Sequence, residues 1–272
     1  MSAMADFQTQ ASQQPFLLEA RGLVKAFGGL KALDGVDLAI RKGETISIIG
    51  PNGSGKSTFF NLLTGIYPCD AGQILVEGRD ITRFKTHQIA AAGVARTFQN
   101  IRLFSNLTVL ENVLIGMHQT LRTPVWKALL RPPSLKRQEE EARARALDLL
   151  AIFGQRLTPR IDYPAFGLSY ANRRRVEIVR AMAAKPKIIL LDEPTAGMNP
   201  AETAELVTHV AEIKRRGFTV LVIEHKLDVV NRISDRVIVL DHGKKIAEGD
   251  ASEVRNNKDV IEAYIGHKAA TA

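Results

Sequence analysis

Ile46–Ile49, Ile188–Leu191 and Val220–Ile223 are short, near-continuous apolar runs. Strands buried on both faces have this pattern, so each is predicted as a strand of a parallel core sheet. Between and around them the apolar period lengthens to that of helices. Phe59, Leu62, Leu63 and Ile66 form one such face, Leu107, Leu110, Val113 and Leu114 a second, Val176, Val179 and Ala183 a third, and Leu206, Val210 and Ile213 a fourth. A further helix is predicted over 134–153 and a terminal one over 257–265. The region 16–40 has a different rhythm. Phe16–Leu18, Val24–Phe27 and Val36–Ile40 are strand-like pieces separated by Gly28-Gly29 and Asp34-Gly35, which predicts antiparallel hairpins. Gln73–Glu77 and Asp80–Arg83 continue that region as a strand and turn, and His87–Ala92 is predicted as a short helix. Val94–Asn100 is a strand ending in polar residues, and Arg236–Leu240 and Lys244–Glu248 are strands around the turn Asp241-His242-Gly243. Residues 1–15, rich in Gln, Ser and Ala, are expected to be a frayed leader.

The chemistry sits where the apolar runs end. After Ile49 comes Gly50-Pro51-Asn52-Gly53-Ser54-Gly55-Lys56-Ser57-Thr58, a complete G-x-x-x-x-G-K-[ST] motif between a predicted strand and a predicted helix. Glycines let backbone N–H groups wrap phosphates, the helix N-terminus adds its positive end, and Lys56 reaches the terminal phosphates. Ser57 is the expected Mg²⁺ ligand. This stretch predicts a nucleoside triphosphate site. The run ending at Leu191 leads into Asp192-Glu193-Pro194, two carboxylates at the carboxyl edge of a strand. Two acids suit two tasks in triphosphate hydrolysis, with Asp192 serving Mg²⁺ through its water shell and Glu193 polarising the attacking water. The run ending at Ile223 leads to Glu224-His225, and His225 is placed to hydrogen-bond a γ-phosphate. Three further positions are ambiguous when taken singly. Phe27, before two glycines, offers either an aromatic face to a base or a core side chain. Gln99 is either a loop residue or a side chain that shares Mg²⁺ or its water. Ser169, in Leu168-Ser169-Tyr170-Ala171-Asn172, is a sound helix cap whose exposed helix N-terminus is also an anion site.

Composition narrows the setting. With 45% hydrophobic and 24% charged residues, the chain is globular, and its single cysteine, Cys69, excludes an intrachain disulfide framework or a cysteine zinc site. No apolar run approaches the length of a membrane span. The formal charge of +8 fits a nucleic-acid binder or a protein working beside anionic lipid, and no nucleic-acid-binding module accompanies it. Basic residues concentrate in 119–145, which is expected to be an insertion, either a solvated loop or a partner or headgroup contact.

Together the ordered set of Phe27, Gly50–Thr58, Gln99, 168–172, Asp192-Glu193, 196–199 and His225 resembles the ATP-binding subunits of ABC transporters over about 17–266. Arg96–Asn100, Ala196–Pro200 and the tail Ile261–Gly266 look like the larger ATPase subunit of the branched-chain amino-acid importers, with urea and short-amide importers as near relatives. The resemblance implies an α/β fold: a RecA-like, mostly parallel core sheet, an antiparallel β subdomain and a helical subdomain at about 100–185, within an ATPase domain of 16–250 and before a helical tail at 251–272. It implies ATP and Mg²⁺ as ligands, with nucleotide bound by Phe27, Gly50, Pro51, Asn52, Gly53, Ser54, Gly55, Lys56, Ser57, Thr58 and Gln99. Across a head-to-tail pair with a second ATPase subunit, Ser169, Ala171 and Asn172 are expected to contribute. Ser57, Gln99 and Asp192 are implied as Mg²⁺ residues, with Glu193, His225 and Lys56 catalytic. Two integral membrane permeases and a periplasmic or extracellular binding protein are the implied partners, with the chain peripheral on the cytoplasmic face of the inner membrane and no nucleic acid bound. At 168–172 the common Leu-Ser-Gly-Gly-Gln is replaced by Leu-Ser-Tyr-Ala-Asn, and Asn199 stands where Asp is usual. A soluble ATPase of this type acting on ribosomes or DNA is the competing class, and its relatives carry two cassettes in one chain or a long coiled coil. Neither is seen in this sequence.

Overall fold

A computed structural model describes residues 15–118 and 132–269, with side chains through Tyr264. The leader lies almost wholly outside these residues, and so does the first part of the basic insertion, through 131. The chain divides into two compact units, one formed by the segment up to Ala92 with Asp235 onward, the other by Gly93–Ser234.

In the first unit, β1 (Leu18–Phe27) pairs antiparallel with β2 (Leu30–Ile40), β4 (Ala71–Val76) lies on its other side, and the short β5 (Arg79–Asp80) edges β4. Leu18, the end of the first expected piece, and all of Val24–Phe27 belong to one strand, while Phe16 and Leu17 precede it. Arg21-Gly22 shifts the register instead of ending the pairing, and the Gly22 N–H donates to Asp37 Oδ1 at 2.6 Å. A bulge keeps the ladder while twisting it. The same unit holds β3 (Thr45–Ile49), parallel to β9 (Arg236–Asp241), which turns back into β10 (Lys244–Gly249). Helix α1 (Lys56–Leu63) leaves β3 through the glycine-rich turn and buries Phe59, Phe60, Leu62 and Leu63. Truncating such a buried phenylalanine to alanine typically costs about 3–5 kcal/mol. Thr86–Ala91 is the short helix α2.

The second unit begins with β6 (Val94–Arg96). This strand is shorter than expected because Thr97 turns inward, donating its N–H to Leu190 O and accepting from the Asp192 N–H, so the chain bends before Gln99. Helix α3 (Val109–Gly116) starts at a reciprocal cap between Thr108 and Glu111. Helix α4 (Pro133–Ala151) carries the apolar stripe Leu135, Ala142, Ala146, Leu149 and Leu150. Helix α5 (Tyr170–Ala183) is capped by Ser169, whose hydroxyl accepts from Asn172 N–H. Then follow β7 (Ile188–Asp192), α6 (Pro200–Arg215), β8 (Thr219–Ile223) and α7 (Leu227–Ile233), the last not anticipated from the sequence. Strands β6, β7 and β8 are parallel, and every residue of β7 and β8 is buried. The apolar faces of α3, α5 and α6 close with Leu149, Leu150 and Phe153 into one core. In the first unit the chain ends with α8 (Ala251–Asn256), capped by Asp250, and α9 (Lys258–Ala269).

One half-buried group makes this second core sensitive to pH. His209 on α6 packs its ring 4.6 Å from that of Phe153, and its Nδ1 is buried without a hydrogen-bond partner. Burial first, then the nearby Arg175 and Arg156 cations, push its pKa down from 6.5 to about 4, against the opposing Glu205 carboxylate. The unfolded chain therefore takes up this proton near pH 6.5 and the folded chain only near 4. The resulting stability is complete above 6.5 and is lost as pH falls toward 4. The denaturant midpoint is expected to drop between pH 6.5 and 4.5, and His209→Gln to flatten that drop. An unchanged slope in the variant would assign the pH response to other groups.

Candidate active site

The turn between β3 and α1 is a cradle shaped by what its glycines lack. A Cβ on Gly50 would lie 2.0 Å from Leu240 O, and one on Gly55 would lie 2.6 Å from Ala32 O. Both glycines also have positive φ, 147° and 103°, where side chains are strained. Gly55 caps α1 with no side-chain hydrogen bond, so the first N–H groups of the helix face the turn as anion donors. Lys56 is buried, 6% exposed, and its Nζ donates to Gly50 O and Pro51 O at 2.8 Å each and to Ser54 Oγ at 3.3 Å. Ser57, Asn52 and Gly53 are exposed, whereas Pro51 and Ser54 are buried. Backbone N–H groups, a buried ammonium and an exposed hydroxyl make a donor set that fits a triphosphate.

In the same unit Phe27 is 42% exposed at the end of β1. Its ring meets that of Tyr67 edge to face at 5.2 Å, with Lys25 Nζ 5.5 Å from the Phe27 centroid. Asp70 fixes this corner, accepting from Lys25 Nζ and from the Ala26 N–H at 2.7 Å each. These contacts lower its carboxyl pKa, chiefly through the lysine hydrogen bond. Phe27 is therefore a held, accessible ring, where the sequence alone left a core residue open. Tyr67 and Asp70 had no sequence signal, because strand pairing brings them to Phe27.

The second unit assembles the acids. Asp192 ends β7, and its Oδ2 pairs with Arg96 Nη2 at 2.7 Å, both side chains buried. This partner was missed because Arg96 meets Asp192 only through the parallel pairing of β6 with β7. Glu193 has φ of 46°, a left-handed conformation that costs a non-glycine residue about 1–2 kcal/mol. Its N–H donates to Ile223 O, and its Oε1 lies 3.0 Å from His225 Nε2. The two residues assigned to hydrolysis thus touch, joined by the pairing of Asp192 with Ile223 at the ends of β7 and β8. Behind them Thr195 donates its hydroxyl to buried Glu224, whose carboxyl pKa burial pushes up against the lowering hydrogen bond. Lys226 Nζ donates to Thr203 Oγ1 at 3.1 Å.

At the start of α5, Ser169 and Tyr170 are exposed and Ala171 and Asn172 are buried. Asn172 Oδ1 accepts from Arg175 Nη1 at 2.8 Å, so its carboxamide is engaged inside its own chain. Gln99 is exposed beyond β6, with its carbonyl oxygen accepting from Arg174 Nη2 at 2.7 Å. Each unit offers oxygen donors of the hard type that Mg²⁺ takes: the exposed Ser57 hydroxyl in the first, and Gln99 and Asp192 in the second. Among the described residues no group of three or more His, Cys, Asp or Glu is arranged to hold a metal.

A strand-to-helix phosphate cradle, an acid pair at a strand end and a histidine against the second acid define a P-loop ATPase of the cassette type. The ABC transporter family model matches 33–196, and the model for the branched-chain amino acid ATP-binding cassette transporter matches 244–270. The chain is 45% identical over 251 residues to the high-affinity branched-chain amino acid transport ATP-binding protein LivG of Salmonella typhimurium, covering 92% of this chain and 98% of that one. It is 42% identical to BraF of Pseudomonas aeruginosa, of the same description, with the same coverage. A nucleotide-free ATP-binding cassette from an ABC transporter superposes with a TM-score of 0.78 at 37% identity, covering 92% of this chain and 99% of that one. The dimeric structure of a bacterial ABC transporter cassette gives 0.72 at 27% identity, covering 86% and 98%. The chain belongs to the ATP-binding cassette family of branched-chain amino-acid transporters, and its fold is the ABC ATPase fold expected from the sequence.

Proposed function

We propose that the chain is the ATP-hydrolysing subunit of an importer for branched-chain amino acids, working peripherally on the cytoplasmic face of the membrane. The likeness to LivG and BraF over nearly their whole length supports this reading, and the Glu193–His225 contact is the observation that carries the chemistry. Gly50 to Thr58 cradle the phosphates of ATP, and Phe27 offers its exposed ring to the base. Glu193 accepts the proton of the attacking water, while His225 holds the Glu193 carboxylate in place and contacts the γ-phosphate. Ser57, Gln99 and Asp192 would hold Mg²⁺, which when bound would neutralise charge that develops on the transferred phosphoryl group. Ser169, with Ala171 and the N–H groups at the start of α5, serves ATP held by a second ATPase subunit in a head-to-tail pair. Permease subunits carry the substrate path, a reading supported by the likeness to transport ATP-binding proteins.

Gentle solubilisation of membranes from cells carrying the tagged chain tests this. Recovery of two hydrophobic permeases and a second ATPase is expected, with ATPase activity stimulated by a leucine-loaded binding protein. Stimulation by a urea-loaded protein instead would move the substrate class. Recovery of ribosomes or DNA without any integral membrane protein would overturn the transporter reading.

A further inference from the structure

A buried polar cluster in the second unit ties the exposed start of α5 to the segment that carries Gln99. Arg174 is fully buried and Glu177 is 2% exposed. They pair at 2.9 Å one turn apart on α5. The Arg174 guanidinium donates to Phe98 O, to Gln99 O at 2.7 Å and to the Tyr170 hydroxyl at 3.2 Å. Glu177 Oε1 accepts from the Phe98 and Arg102 N–H groups at 3.3 and 3.4 Å. The backbone on both sides of Gln99 is therefore held by one ion pair. Tyr170 extends the cluster outward. It is exposed, its hydroxyl meets Arg174, and its ring lies where a Cβ on Gly197 would come within 3.1 Å.

We propose that Tyr170, Arg174 and Glu177 are positioning residues that set the Gln99 segment according to what meets the exposed end of α5. The idea rests on the role given above to Gln99. A guanidinium has a fixed planar fork, so it cannot follow a displaced tyrosine hydroxyl without moving against the two carbonyl oxygens it also holds. Movement of Tyr170, caught between Gly197 and Arg174, is thereby converted into movement at Phe98 and Gln99. The sequence Leu-Ser-Tyr-Ala-Asn at 168–172 thus carries a hydroxyl that meets Arg174, which a glycine at 170 would lack.

Tyr170→Phe isolates the link, since it removes the hydroxyl and keeps the ring on Gly197. Deleting Arg174 or Glu177 would leave a buried charge unpaired and lower stability in its own right. Steady-state ATPase of the full-length chain is measured for Tyr170→Phe, Gln99→Ala and the double variant, with equilibrium ATP binding alongside. Tyr170→Phe is expected to lower kcat about tenfold, the lower end of the weight of one charge-assisted hydrogen bond, with ATP affinity unchanged. In the Gln99→Ala background the same change should have no further effect, because both act through one element. Amide exchange at Phe98 and Arg102 should accelerate in Tyr170→Phe. Losses that multiply in the double variant, or exchange that does not change, would overturn the relay and leave the role of Gln99 standing. Unimpaired turnover in Gln99→Ala would overturn both.

Discussion

Glu193→Gln is expected to retain ATP binding and to lose turnover by about 10²–10⁴-fold, the range that a positioned general base contributes. The glutamine fits the same space and can still hydrogen-bond His225, whose Nε2 lies 3.0 Å from Glu193 Oε1, but it takes no proton from water. The left-handed backbone at Glu193 is fixed by its own N–H bond to Ile223 O, which the substitution leaves in place. Single-turnover hydrolysis and nucleotide titration on the same preparation separate the two properties. Wild-type hydrolysis by the variant would reject Glu193 as the base. Weakened binding would show that the residue supports nucleotide directly.

Lys56→Ala acts on the other property. A hydrogen bond from an ammonium to a phosphate is worth about 1.5–3 kcal/mol, so the dissociation constant for ATP should rise about 10- to 150-fold. The loss has a second source in this chain. Lys56 Nζ bonds Gly50 O and Pro51 O, the first turn of the loop, so removing it also loosens the cradle before nucleotide arrives. The thermal midpoint without nucleotide should therefore fall, in addition to the lost affinity. Equilibrium titration showing unchanged ATP affinity would falsify the phosphate-loop assignment.

How much of this was legible in advance differs residue by residue. The elements around Gly50–Thr58, Asp192-Glu193 and His225 could be read because apolar runs of strand length are followed at once by polar residues, and a run buried on both faces has little other use. Boundaries were less legible. The gap left between Phe16–Leu18 and Val24–Phe27 became a bulge at Gly22, because β1 is held from both sides by β2 and β4. The strand expected to reach Asn100 stops at Arg96 because Thr97 is drawn to Leu190 and Asp192. The short α7, only a few residues of helix, had no sustained period to announce it. Segment 119–131, where half of the expected insertion falls, lies outside the described residues.

By itself the sequence determined the class of fold and the ATPase family, and it singled out the lysine, acids and histidine proposed to serve the triphosphate. Those properties depend on contiguous spacing, which turn and strand geometry turn directly into a local site. Tertiary structure alone decided which side chains answer them: Arg96 on Asp192, His225 on Glu193, Tyr67 and Asp70 about Phe27, and Arg174 with Glu177 beneath Gln99. These partners are brought together mainly by strand register and by helix packing over long sequence separations. No local pattern in a single chain records such a meeting, because pairing energy is set by the fold that delivers both groups to the same place.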